Sequence, residues 1–276
     1  MTLDAHQHFW HYDPVRDTWI TDEMAVLRRD YLPEDLAPLL ATAGIDGSIA
    51  VQADPSEAET RFLLDLAEAY PFIRGVVGWI DLQADDLPAR LDAFVGHPRL
   101  CGFRHLVQAE PDDFLLRPAF QRGLRHLAER GYPYDLLLYP RQLPAALKLV
   151  EALPNLRFVV DHLAKPYIRT GQVEPWATQL LVLAQAPQVY CKVSGLITEA
   201  DWQRWTPDDF RPYLDVVFDA FGPARLMYGS DWPVCLLAGR YDQVWSLVAN
   251  YLQGYSPAEQ AGMWGENARR FYRLTA

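Results

Sequence analysis

The chain has 276 residues, half of them hydrophobic and 22% charged, which supplies a large core and excludes a disordered chain. Its 25 basic and 36 acidic residues leave a net charge of −11, which repels phosphate backbones and anionic bilayers, so neither nucleic acid nor membrane is expected as a partner. Cys101, Cys191 and Cys235 are widely spaced and form no CxxC pair, and the opening MTLDAHQHFW has neither a basic nor an apolar leader stretch. With no apolar run of bilayer length, these features predict a cytoplasmic protein with reduced thiols.

Short apolar runs alternate with amphipathic ones along the whole chain. Strands are predicted at 2–9, 44–52, 73–81, 100–108, 134–139, 156–162, 188–194 and 225–231, each rich in Val, Ile, Leu and aromatics as strands buried on both faces are. Helices are predicted between them at 33–42, 56–69, 87–95, 117–130, 142–153, 175–184, 207–221 and 241–252. Pro33 opens the first and Gly44 follows its end, Pro71 stops the second, and Gly131 and Gly222 stand at C-cap positions. A last helix is predicted over 257–272. Strands separated by helices imply parallel neighbours joined by right-handed crossovers. Eight such units in this length predict an α/β fold, a single (β/α)8 TIM barrel over 1–276 with an extra C-terminal helix. The rival, an open doubly wound sheet, often shows a glycine-rich turn after its first strand, and HQHFW contains no glycine.

Functional residues of such barrels sit at strand C-termini, and polar residues there are informative because burying them is costly. Here they are His6 and His8, two apart and so on one face of the first strand, then Arg104, His105 and Gln108, then Tyr139. Asp161, His162 and Lys165 follow the sixth strand, Lys192 and Ser194 lie on the seventh, and Ser230, Asp231 and Trp232 end the eighth. Each has a plainer reading: His162 as a hydrogen-bonded core histidine, Asp231 as a turn residue, His105 as a support for its neighbours. Lys192 can point to the lumen or outward. Cys191 and Cys235 read as core. Only a closed barrel would bring the HxH pair, His162 and Asp231 together.

These motifs resemble the amidohydrolase superfamily, in the branch of sugar lactonases and 2-pyrone-4,6-dicarboxylate lactonase. DAHQHFW, GFRHLVQ (102–108), DHLAKP (161–166), KVSGL (192–196), YGSDWP (228–233) and GENARRFY (265–272) match in family order, and L-fuconolactone and L-rhamnonolactone hydrolases are most alike. The resemblance implies that His6, His8, His162 and Asp231 form the site, holding one divalent ion, zinc by donor type, or working without metal as the pyrone lactonases do. No bridging lysine or glutamate is evident, which speaks against two metals. Asp231 is the expected general base, with His162 and His105 as further catalytic candidates.

Arg104, Gln52, Gln108, Tyr139, Lys165, Trp79 and Trp232 are the expected substrate-binding residues. Arg104, Lys165 and an inward Lys192 supply too few cations for a dicarboxylate, whereas amides and aromatics suit a sugar, so the expected substrate is a small aldonolactone. The alternatives are a pyrone-dicarboxylate lactonase, a metal-dependent decarboxylase on the same scaffold, or a barrel that binds sugar without turnover. A homo-oligomer is compatible with all of them. No GxSxG elbow supports a serine hydrolase.

Overall fold

Every predicted strand forms, and each is shorter than expected, in the computed structural model, which describes residues 1–275. The strands are β1 (Leu3–Gln7), β2 (Gly47–Val51), β3 (Ile73–Gly78), β4 (Leu100–His105), β5 (Tyr134–Leu136), β6 (Phe158–Val160), β7 (Val189–Val193) and β8 (Leu226–Tyr228). All pair in parallel in the order β1 to β8. The shortening falls mainly at the C-terminal ends. There the polar residues leave the ladder for loops, where their side chains meet each other instead of a neighbouring strand.

The connecting helices are α1 (Pro33–Ala43), α2 (Glu57–Ala69), α3 (Leu87–Asp92), α4 (Pro118–Glu129), α5 (Leu143–Ala152), α6 (Trp176–Leu183), α7 (Pro207–Phe221) and α8 (Tyr241–Tyr251). Their starts follow local chemistry. Ser56 Oγ accepts the Glu59 backbone N–H at 3.1 Å to cap α2, and the Asp209 carboxylate accepts the Thr206 N–H at 2.6 Å to open α7. Their apolar faces and the outward faces of the strands form one continuous core.

The expected tail helix is broken in two. α9 (Pro257–Ala261) and α10 (Asn267–Tyr272) flank a π-helical turn over Gly262–Glu266. Gly262 and Gly265 lie in that turn, and glycine gives a helix its least support after proline. The break turns α10 onto the barrel floor. Phe271, Tyr272 and Leu274 pack there with Leu3, Ala5, Ile49, Val77, Val159 and Met227.

The sheet closes along β1 and the segment after β8. The His8 N–H donates to Trp232 O at 2.7 Å, and the Asp231 N–H donates to His6 O at 2.8 Å. These bonds that complete the barrel also set the sequence-distant histidine pair against the aspartate. No helix among the described residues is long and apolar enough to cross a membrane.

Candidate active site

The closing seam gives the site its first three groups. Asp231 Oδ1 lies 3.4 Å from His8 Nε2 and 3.9 Å from His6 Nε2. The two imidazole Nε2 atoms are 3.2 Å apart. His8 is fixed from behind by Val51 O, 2.7 Å from its Nδ1. Asp231 has a left-handed backbone, φ 58°, a conformation aspartate tolerates better than most residues.

His162 arrives from β6 by an unusual route. His162, Leu163, Ala164 and Lys165 all have positive φ, 52°, 55°, 59° and 50°, a left-handed turn that costs L-residues about 1–2 kcal/mol each. Such strain persists only where the surroundings enforce it, and it clusters at functional sites. The turn brings His162 Nε2 to 3.8 Å from Asp231 Oδ1, while Ser194 Oγ holds Nδ1 at 2.8 Å. His6 and His162 ring centroids are 4.3 Å apart.

Beneath the imidazoles lies a buried ionic layer. Arg104 on β4, Asp135 on β5, Asp161 after β6 and Lys192 on β7 all point into the lumen, and each is at most 3% exposed. Lys192 Nζ contacts Asp135 Oδ2 at 2.6 Å, Asp161 Oδ1 at 3.0 Å and His6 Nδ1 at 3.1 Å. Arg104 Nη1 contacts Asp161 Oδ2 at 3.0 Å and His6 Nε2 at 3.2 Å, and Nη2 donates to Gln52 O. The Tyr272 hydroxyl donates to Asp135 Oδ2 at 2.8 Å, joining the tail helix to this layer.

Burial has the largest influence on the ionisation of each group. It lowers His6 well below its usual value, assisted by the Lys192 charge, lowers His8, and brings His162 down to about 4. The imidazoles are therefore predominantly neutral at pH 7. Burial pushes Asp231 upward, but His162 and the His8 hydrogen bond outweigh it, so the carboxyl falls below its ordinary value and is ionised. Burial likewise opposes charge on Asp161 and Lys192, yet their partners win: Asp161 is held well below the carboxylate range and Lys192 stays protonated.

The other predicted residues divide into two groups. Gln52 joins the site as a support, its Nε2 donating to Arg104 O at 3.3 Å. Lys165 sits at the mouth with Glu199 at 3.2 Å and 5.6 Å over the Tyr139 ring. His105, by contrast, faces away from the lumen. It stacks on Phe114 at 4.9 Å, accepts from Trp79 Nε1 at 3.1 Å and meets Glu110 at 3.2 Å, because alternation along β4 sends its neighbour Arg104 inward. Trp232 is also turned away, 1% exposed and packed edge-on against Tyr31 and Phe9. Gln108 lies after β4 with its Oε1 buried and without a hydrogen-bond partner among the described residues.

Sequence reasoning did not single out Asp135 or the supporting part played by Asp161, and left the direction of Lys192 open. The signal for Asp135 is a lone charge inside the apolar run YDLLLY. A charge so placed needs an opposite charge across the lumen, and Lys192 in VYCKV is one.

The donor set suits one divalent ion. Ligand atoms of His6, His8 and Asp231 lie within 4.8 Å of one another, as do those of His6, Asp161 and His162. Imidazole and carboxylate are zinc-type donors. His8 and His162 each spend their other ring nitrogen on a protein oxygen, as metal-ligating histidines do.

The chain matches the family model described as amidohydrolase over residues 3–274. It is 43% identical over 286 residues to L-fucono-1,5-lactonase of Burkholderia multivorans, covering 99% of this chain and 96% of the relative. It is 38% identical over 279 residues to L-fucono-1,5-lactonase of Burkholderia ambifaria, covering 99% and 95%. A crystal structure of an amidohydrolase from Burkholderia multivorans with bound zinc superposes over 100% of both chains, with a TM-score of 0.94 and 43% identity.

Proposed function

The chain belongs to the amidohydrolase family, and on that premise we propose that it hydrolyses a small sugar lactone, an L-fuconolactone-like aldono-1,5-lactone, to the open acid. The observation that carries this reading is the ionised Asp231 carboxylate facing three predominantly neutral imidazoles at 3.4–3.9 Å at the mouth of the barrel. Lactonase relatives at 43% and 38% identity over nearly the whole chain support it.

The residues divide the work as follows. Asp231 takes a proton from water as the water oxygen bonds to the lactone carbonyl carbon. The carbonyl electrons move onto oxygen, and N–H donors of His6 and His162 stabilise the developing charge in a dry setting. When the intermediate collapses, the ring C–O bond breaks and protonated Asp231 returns its proton to the departing alkoxide. If one divalent ion is bound, His6, His8, His162 and Asp231 are the residues that hold it, and it supplies Lewis-acid polarisation and activation of water.

A neutral sugar fits the electrostatics better than a dicarboxylate. Arg104, Lys165 and Lys192 are each already paired, with Asp161, Glu199 and the Asp135–Asp161 pair. A substrate carboxylate would have to displace a protein carboxylate from one of them. Lys165 and Tyr139 remain as the substrate contacts at the mouth. The three free, buried cysteines suit a reducing compartment, and we assign the enzyme to the cytoplasm.

The test is acid release from a panel of aldonolactones, followed with a pH indicator, with and without chelator and added zinc. Turnover of L-fuconolactone or a close stereoisomer is expected. Carbon dioxide release from an aromatic acid, or sugar binding with no turnover of any lactone, would overturn the reading.

A further inference from the structure

Lys165 is the most accessible cation of the site. Its side chain is 16% exposed, against 3% for Arg104 and 0% for Lys192 in the layer below. Its pairing is also the thinnest of the three. Lys192 faces two carboxylates, and Arg104 is held by Asp161 and by Gln52 O. Lys165 has one ionic partner among the described residues, Glu199, whose Oε1 lies 3.2 Å from its Nζ. One residue therefore decides whether the mouth presents an unpaired positive charge.

The pair stands close to the reacting centre, because the two loops that carry it also hold His162. The turn after β6 runs from His162 to Lys165, whose N–H donates to His162 O at 2.7 Å. The loop after β7 runs from Ser194 to Glu199. The two loops are tied twice, by His162 Nδ1 with Ser194 Oγ at 2.8 Å and by Lys165 with Glu199. Exposure rises from 4% at the His162 side chain to 16% and 19% at the ion pair, so the pair lies on the solvent side of the imidazole. Glu199 is fixed there by its own loop. Its N–H donates to Leu196 O at 3.2 Å, the Thr198 hydroxyl donates to Gly195 O at 2.9 Å, and Trp202 Nε1 donates to Thr198 O at 2.8 Å. Ordering long side chains is what makes most accessible ion pairs weak, and a carboxylate on a turn held this way loses less freedom when it pairs.

We propose that Glu199 sets the charge of the substrate: it occupies Lys165 and restricts the mouth to neutral lactones, and the same mouth with Lys165 released accepts a lactone that carries a carboxylate. The inference rests on the lactonase reading above. Discrimination of this kind comes from a repulsive element more than from an added contact. A substrate carboxylate meets the Glu199 charge on entry, and it has to displace Glu199 before it can reach the ammonium.

The experiment measures kcat/KM for L-fucono-1,5-lactone, for the same ring with a carboxylate in place of its methyl group, and for 2-pyrone-4,6-dicarboxylate. The proteins are the wild type, Glu199→Gln and Lys165→Met/Glu199→Gln, and Asp231 is present in all three. In Glu199→Gln the ratio of carboxylated to neutral turnover is expected to rise by about tenfold or more for at least one carboxylated lactone, the low end for a hydrogen bond to a charged group. In the double variant, which restores the net charge of the wild-type pair, that rise should vanish. No rise in Glu199→Gln, or a rise that survives the loss of Lys165, overturns the proposal. The wild type alone gives a reading that needs no variant to fold: preference for the neutral lactone supports the proposal, and a carboxylated lactone turned over equally well overturns it. A wild type inert towards every lactone would fail the lactonase reading itself, whereas turnover with an unmoved charge preference in Glu199→Gln fails this inference alone.

Discussion

Gly195 lies against the His162 ring so closely that a β-carbon on it would fall 2.6 Å from His162 Nδ1. That ring atom is also the one held by Ser194 Oγ at 2.8 Å. Gly195 has φ 62°, so any other residue would also strain the backbone. Gly195→Ala is expected to push the imidazole off its Ser194 bond and away from Asp231. Displacements of about 1 Å cost roughly 10²-fold in rate, so kcat/KM should fall by about that factor. Steady-state kinetics on a lactone would check this, and activity within threefold of wild type would remove His162 from the mechanism.

Asp231→Asn keeps the size of the side chain and its place at the seam but removes the proton acceptor. The seam bond from the Asp231 backbone to His6 O is untouched, so circular dichroism and thermal midpoint should change little. Turnover should fall by 10²–10⁴-fold, the usual worth of a general base. Full turnover in a folded Asp231→Asn protein would place the base elsewhere.

Glu59 provides a pH-dependent stability test away from the site. It is 6% exposed, and burial raises its carboxyl from 4.5 to about 7, even though it accepts the Ala53 N–H at 3.1 Å. Because the folded state binds the proton more tightly than the unfolded one, this group costs stability as pH rises from the unfolded value through about 7. Glu59→Gln keeps the carbonyl acceptor and cannot ionise. The variant should gain on wild type by about 2–3 kcal/mol between pH 5 and pH 8.5. Denaturant unfolding at the two pH values measures the difference, and an equal offset at both would contradict a buried ionisation.

The tail helix is fastened by Asn267, whose Nδ2 donates to Pro223 O and to Leu226 O, each at 2.7 Å. Asn267→Ala leaves the buried Leu226 carbonyl without this donor and should destabilise the protein by about 1–3 kcal/mol. Since α10 also carries Tyr272 to Asp135, the same variant should lower lactone turnover modestly at temperatures well below its midpoint. A thermal midpoint within one degree of wild type would mean that other contacts hold the helix.

The amino-acid sequence determined the eightfold alternation, because strand and helix periods are local properties of the chain. It also marked His6, His8, His162 and Asp231, because polar residues at the ends of apolar runs stand out wherever they occur. Their meeting was decided by barrel closure, through two backbone bonds between residues more than 220 positions apart. The same limit explains His105: adjacent in sequence to Arg104, it reads as a site residue, yet the alternation of β4 turns it to the outer core. Trp232 follows suit, closing the seam through its backbone while its ring packs outside. The Asp135–Lys192–His6 row was the least legible part. A charge inside a strand reveals that it needs a partner, but which partner it meets depends on which side chains the closed barrel turns to the same depth of its lumen.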